Sequence, residues 1–119
     1  MKSSYQTKGR YRNMGKNTTL LRKIFGEKAL ENVANAEKLD NNKELDTLLN
    51  DLILDMSEVE GELYYEVGKR LAEEDSHALI AAYLKENAEE IAVRLEAKAL
   101  RRLRHPEFSR ELKPYLEEK

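Results

Sequence analysis

The sequence of 119 residues contains no cysteine and no tryptophan, and it has only two prolines and five glycines. Without cysteine, the chain has no disulfide, no thiolate nucleophile and no zinc or iron–sulfur site built on sulfur. No apolar run approaches the roughly 20 residues that a membrane helix needs. The basic start of the chain is not followed by the apolar stretch of a signal peptide. We therefore expect a cytoplasmic protein that does not span a membrane.

Charged residues make up 37% of the chain and nearly cancel to a net charge of −2, but they are unevenly distributed. Residues 1–28 carry eight basic and one acidic side chain, residues 29–93 five and seventeen, and residues 94–119 eight and five. This segregation favours contact between a basic end and a polyanion, and between the acidic middle and a basic partner or the chain's own arm. The alternative is that charged helices only keep a small domain soluble.

Apolar residues recur at helical spacing along most of the chain, and no stretch alternates long enough with the period of a strand. The sequence therefore predicts an all-α fold of five to six helices behind a flexible basic arm. We assign residues 1–17 to the arm, residues 18–75 to an acidic helical segment and residues 76–119 to a helix-turn-helix module.

Polar residues at helix starts predict the boundaries of the first two segments. Thr18 or Thr19 is placed to cap the first helix, which we expect to end near residues 40–42. Ser57 and Glu60 have the spacing of a capping box, in which each side chain satisfies the other's backbone amide. A new helix, or a bend in one long helix, is therefore expected at this point.

Residues 80–104 have the layout of a helix-turn-helix, in which Asn87 and Glu90 form a second capping box and open a longer helix that runs to about Arg104. At about 100° per residue, this helix collects apolar residues on one side. They are Ile91, Ala92, Leu95, Ala99, Leu100 and Leu103. The other side carries five cations in a single stripe, namely Arg94, Lys98, Arg101, Arg102 and Arg104. Such a stripe can neutralise DNA phosphates; the alternative is a solvated face paired with Glu90 and Glu111.

The segment from Leu95 to Pro106, LEAKALRRLRHP, followed by Ser109, Leu112 and Leu116, resembles the C-terminal end of the primary sigma factors of bacterial RNA polymerase. Residues 76–94 fit the same helix-turn-helix domain without a gap. The resemblance implies a domain that binds double-stranded promoter DNA through its second helix. It also implies docking on the flexible β-flap of RNA polymerase through apolar surface.

The resemblance also implies which residues face DNA. Lys98, Arg101, Arg102 and Arg104 match basic positions of the family that touch the DNA backbone or neighbouring activators. At the start of the reading helix, where the family has arginines and glutamine, this chain retains only Glu90 and Arg94. The other positions there are Ala88, Glu89, Ile91, Ala92 and Val93, and Lys85 stands where glycine is usual in the turn. We therefore expect weakly sequence-specific binding by a surface of Asn87, Glu90, Arg94, Lys98, Arg101, Arg102 and Arg104.

A stripe of apolar residues in the acidic segment supports a second hypothesis, a helical protein–protein interaction domain. The stripe consists of Leu45, Leu48, Leu52, Met56, Val59 and Leu63. It is longer than a monomer of this size readily covers, which predicts a homodimer or a complex with a partner helix.

Nothing in the sequence favours an enzyme, a cofactor or a metal site. His77 and His105 are 28 residues apart, and only generic acids lie at the helical spacing that would give either one a second metal ligand. The acids at residues 73–75 and 89–90 lie at charged helix ends rather than beside a recognisable pocket. We expect no catalytic residue.

Overall fold

The computed structural model describes residues 15–31, 33, 36–85 and 88–116. These residues form eight α-helices and one 3₁₀ helix, and no strand occurs among them, which confirms the predicted all-α fold. The elements are α1 (Lys16–Phe25), a 3₁₀ helix (Glu27–Leu30), α2 (Ala36–Asp40), α3 (Lys43–Glu60), α4 (Leu63–Arg70), α5 (Ser76–Leu84), α6 (Glu89–Arg104), α7 (Pro106–Ser109) and α8 (Lys113–Leu116).

The helices outnumber the predicted five to six because the first predicted helix divides after Phe25 and the C-terminal segment divides after Ser109. Gly26 follows α1 with a φ of +95°, and Gly61 follows α3 with a φ of +118°. Only glycine adopts such angles without steric cost. The break at Gly61 lies close to the one expected at Ser57 and Glu60, whereas the apolar spacing does not reveal the break at Gly26.

The long helix α6 lies at the centre of the fold and packs against α1, α3, α4, α5 and α7. Its buried face consists of Ala92, Ala99 and Leu103. The largest side chains that are fully buried around it are Leu21, Ile24, Leu45, Met56, Leu71, Ile80 and Leu112. Because α6 touches most other helices, the directions of its side chains determine which of its cations reach solvent.

Gly68 allows α4 to lie unusually close to α3. A Cβ atom at this position would stand 2.5 Å from Ile53 Cγ2 and 3.2 Å from Met56 Cε. Carbon atoms in van der Waals contact are about 3.5–4.0 Å apart. A side chain at residue 68 would therefore push α4 away from α3.

The first turn of α1 is held by residues more than twenty positions downstream. The carboxylate of Asp40 accepts hydrogen bonds from the backbone N–H groups of Gly15, at 2.7 Å, and Thr18, at 2.9 Å. The Asn17 amide donates to the Leu39 carbonyl at 2.9 Å. The predicted cap at Thr18 or Thr19 is therefore wrong, since Asp40 supplies the capping oxygens and both threonines are buried inside α1.

The predicted flexible arm over residues 1–17 extends too far, because Lys16 and Asn17 are already helical. Residues 1–14 lie outside the described residues. The first helix also ends at Phe25 rather than near residues 40–42, where the shorter helix α2 ends instead.

The capping box predicted at Ser57 and Glu60 does not form. Helix α3 continues through both residues, and the Ser57 hydroxyl donates to the Leu54 carbonyl at 2.7 Å. Glu60 turns instead toward α6, as described below. Because a capping box and a mid-helix Ser-x-x-Glu have the same spacing, only the surrounding packing distinguishes them.

Two helices joined by a short connection occupy the predicted helix-turn-helix region. Lys85 follows α5 in the left-handed conformation, with φ 62° and ψ 31°. This conformation, which glycine usually adopts, occurs at the position where the resemblance implies a glycine. Asn87 lies outside the described residues, and Ala88 occupies the N-cap position of α6.

We expect Asp40→Ala to lower the free energy of unfolding by about 1–2 kcal/mol, because two backbone N–H groups of α1 would lose their acceptor. Urea denaturation followed by circular dichroism measures this change. The exposed Asp55, in the middle of α3, provides the matched control, because Asp55→Ala removes the same groups without breaking a contact. Equal midpoints for the two variants would contradict the capping role of Asp40.

Candidate nucleic-acid interface

The solvent-facing side of α6 lies opposite its buried residues. Glu90, Arg94 and Arg101 are exposed there. Neither arginine forms a hydrogen bond or an ion pair with any of the described residues. Both guanidinium groups are therefore available to an external anion.

The five cations of α6 do not form the single stripe that the sequence predicted. At about 100° per residue, they spread over roughly 160° of the helix circumference. Lys98 Nζ lies 3.3 Å from Glu60 Oε1, and Arg102 Nε donates to Glu60 Oε2 at 2.8 Å. On the other flank, Arg104 Nε donates to the Ile24 carbonyl at 2.6 Å. Three of the five cations are thus engaged within the molecule.

The carboxylate of Glu60 is largely enclosed, with only 10% of its side chain exposed. Its hydrogen bond from Arg102, assisted by Lys98, holds the pKa of Glu60 below its usual value of 4.5 and outweighs the opposing effect of burial. The last residue of α3 is therefore an anion at neutral pH, fixed beside the C-terminal half of α6.

A pocket of about 250 Å³ opens beside this ion pair. Glu60, Lys98, Arg101, Arg102 and His105 line it. His105 follows α6, and its Nδ1 accepts a hydrogen bond from the backbone N–H of Glu107 at 3.2 Å. In the neutral ring the proton is therefore on Nε2. Sequence reasoning considered His105 only as a metal ligand and so missed this position.

The N-terminal half of α6 presents a different surface. Glu89, Glu90, Ile91 and Val93 are exposed, and Arg94 is the first cation along this side. The sequence placed Ile91 on the buried side, but 48% of it is exposed because it lies at the edge of the apolar face. Acidic and apolar groups thus occupy the part of α6 that the resemblance implies for base readout.

The apolar stripe predicted as a partner interface is mostly covered by the chain itself. Leu45, Leu52 and Met56 are buried in the core, and Leu48 is half-buried. This part of the predicted interface is therefore wrong, because α1, α4 and α6 pack against α3 and leave no room for a partner. Only Val59, 60% exposed, and Leu63, 37% exposed, remain accessible at the end of the stripe.

A buried polar cluster, which the sequence did not indicate, joins α1, α5 and α6. Lys23 Nζ donates to Ser76 Oγ at 2.8 Å and to the Glu73 carbonyl, and it lies 3.9 Å from the carboxylate of Glu96. Ser76 Oγ donates to Glu96. Burial lowers the pKa of Lys23.

A lysine beside a serine can activate a nucleophile in some enzymes. Ser76 is only 1% exposed, so no substrate reaches its hydroxyl in this structure. The cluster of Lys23, Ser76 and Glu96 has a packing role here. A lysine beside a serine also occurs in catalytic sites, but here the serine hydroxyl is not accessible to a substrate.

Within the described part of the chain, no three His, Asp or Glu side chains are grouped so that they could hold a metal ion. None of the helices described is both long and apolar enough to cross a membrane. Comparisons of the chain with protein-family models, curated proteins and solved structures found no match.

The lowered pKa of Glu60 predicts how its contribution to stability depends on pH. Because the folded protein favours the carboxylate, this contribution is complete above the usual pKa of 4.5 and is lost as the pH falls through the lower folded value. We expect Glu60→Gln to cost about 1 kcal/mol at pH 7 and progressively less toward pH 3. Urea denaturation across this pH range tests the prediction.

Glu58→Gln serves as the control, because Glu58 is exposed on the same helix and forms no ion pair with a described residue. A cost for Glu60→Gln that stays constant from pH 7 to pH 3 would show that shape rather than charge carries the effect.

Proposed function

We propose that this protein is a non-enzymatic, DNA-associated transcription protein of the cytoplasm that contacts promoter DNA, RNA polymerase or both. Two features support the proposal. One is the resemblance of residues 95–116 to the C-terminal end of primary sigma factors. The other is the concentration of cations on the C-terminal half of α6, which follows α5 across a short turn.

The single observation that carries the DNA proposal is the set of exposed or half-exposed cations on α6. Arg94 and Arg101 face solvent without internal partners among the described residues, and Lys98 and Arg102 retain exposed surface beside Glu60. Arg side chains bind phosphate oxygens with two parallel hydrogen bonds, which Lys cannot do. Duplex DNA would therefore meet α6 from the side of Arg94 and Arg101.

The distribution of charge along α6 favours contact through its C-terminal half. Glu89 and Glu90 lie at the N-terminal end and repel phosphates, whereas Arg101, Arg102 and Arg104 occupy the last turn. A sequence-reading helix normally inserts its N-terminal residues into the major groove. This chain would instead hold mainly the DNA backbone.

We predict that affinity for duplex DNA falls steeply with salt, by about 0.9 log units per log unit of salt for each phosphate neutralised. The double substitution Arg94→Glu with Arg101→Glu should weaken binding and lower this slope by about 1.8, because two phosphate contacts would be lost. Fluorescence anisotropy with a labelled duplex over a series of salt concentrations measures both effects.

The matched control reverses two exposed cations elsewhere, Lys28 on the 3₁₀ helix and Lys43 on α3. Lys28→Glu with Lys43→Glu changes the net charge equally, so it separates a local contact from the overall field of the protein. No binding by the unmodified protein at low salt, or an equal slope change in both double variants, would refute DNA binding by α6.

We also predict weak sequence preference, less than about tenfold between promoter and random duplex. Good bidentate base contacts contribute about 1–3 kcal/mol each, and Ile91, Ala92 and Val93 offer no side-chain hydrogen-bond donors. Competition between unlabelled duplexes tests this expectation. A clear preference for one hexamer would contradict it and would indicate base readout by other residues.

The alternative function is a protein–protein interaction domain, acting as an adaptor or in a homodimer. Four large apolar side chains on α5 and α6 favour it, because they are exposed: Leu79, Tyr83, Ile91 and Val93. Exposed apolar surface that a partner covers is typical of protein-binding proteins. If DNA binding is absent at low salt, protein binding becomes the leading candidate, and contact with RNA polymerase would involve some of these side chains.

A further inference from the structure

The pocket beside Glu60 has the composition of a site for a small anion. Three basic side chains, Lys98, Arg101 and Arg102, line it together with His105 and a single carboxylate. Their formal charges leave an excess of two positive charges even when His105 is neutral. The volume of about 250 Å³ is well above the ~30 Å³ share of one water molecule, so it admits a polyatomic anion.

Two donors of this pocket already hold one oxyanion, the carboxylate of Glu60. The two oxygens of Glu60 lie 2.8 Å from Arg102 Nε and 3.3 Å from Lys98 Nζ. These contacts fix the two cations on one side of the pocket, so that less side-chain freedom remains to be lost when a ligand binds. Lys98 is still 51% exposed, and Arg102 is 31% exposed.

Two further donors line the pocket without competing acceptors. The Arg101 guanidinium has no hydrogen-bond or ion-pair partner in the described part of the chain. The Nδ1 of His105 is engaged with the backbone N–H of Glu107, which leaves Nε2–H as the donor of the neutral ring. Arg and Lys side chains that converge on one concave surface are donors that bind phosphate oxygens.

We propose that the pocket lined by Lys98, Arg101, Arg102 and His105 binds a single phosphate group and that Glu60 weakens this binding by occupying two of the donors. The inference rests on the proposed association with DNA, because a backbone phosphate is one source of the group. A free phosphate is the other source. The pocket would then serve as the anchoring point of the interface, on the flank of α6 rather than on its outermost face.

The experiment is an NMR titration of ¹⁵N-labelled protein with inorganic phosphate at pH 7, compared with sodium chloride at equal ionic strength. We expect saturable shifts of the Arg101 and Arg102 side-chain N–H signals and of the backbone signals around His105. Arg101→Gln should weaken phosphate binding by roughly tenfold. Lys43→Gln, which removes the same charge at the exposed start of α3, should change it by less than about twofold.

The variant Glu60→Gln tests the competing role of the carboxylate. We expect it to strengthen phosphate binding by about threefold or more, because it removes a negative charge that faces the ligand. Circular dichroism verifies that each variant folds. Should Arg101→Gln not fold, Lys98→Gln removes another donor of the same pocket and is expected to weaken binding in the same direction.

A second titration uses one duplex with and one without 5′-phosphates. If both duplexes cause the same shifts, the phosphate that binds in the pocket belongs to the DNA backbone. If only inorganic phosphate and the 5′-phosphorylated duplex cause them, the pocket binds a free or terminal phosphate group. Shifts that grow linearly and match those of sodium chloride, or equal losses in Arg101→Gln and Lys43→Gln, would overturn the proposal. If phosphate does not bind in the pocket but duplex binding still depends on salt, the phosphate site is refuted and the proposed DNA association stands.

Discussion

A half-buried lysine is the constraint on which the arrangement of the helices depends. Lys23 is carried by α1, and its ammonium group lies among the Glu73 carbonyl, Ser76 Oγ and the carboxylate of Glu96. A charge removed from water is costly unless it is paired and hydrogen-bonded. These partners come from the start of α5 and the middle of α6. The cost of leaving Lys23 unpaired therefore restricts how α1, α5 and α6 can lie relative to one another.

The same principle explains much of the uneven charge distribution along the chain. Acids of the middle segment pair with cations on either side of it, since Arg22 of α1 contacts Glu74 at 2.7 Å and Arg102 of α6 contacts Glu60 at 2.8 Å. Segregated charges in the sequence thus become neighbouring opposite charges in the fold. A net charge counted by segment overstates the field that a partner would meet, because part of it is neutralised internally.

The proposed DNA-binding surface consists of the cations that remain after this internal pairing. Arg104 binds a carbonyl of α1, and Lys98 and Arg102 share Glu60, so Arg94 and Arg101 are the α6 cations without partners among the described residues. Glu60 thus links α3 to α6 and engages two of the five cations at the same place.

The sequence by itself was sufficient for the helical class and for most of the buried face of α6. Apolar spacing near 3.6 residues identified Ala92, Ala99 and Leu103 as core positions, because that periodicity is a local property of the helix. The same spacing misplaced Ile91, which lies at the edge of the apolar face. Periodicity predicts the direction of a side chain but does not predict how far the neighbouring helices extend over it.

Only the tertiary structure decided which residue caps α1 and which cations of α6 are paired. Asp40 caps α1 from 22 and 25 residues away, and Arg102 pairs with Glu60 across 42 residues. Neither pairing has a signature in local spacing, because hydrogen bonds form between any donor and acceptor that the fold brings within about 3 Å. A wheel of α6 gives the direction of each of its five cations, and the packing of α1 and α3 against it decides which of them are paired.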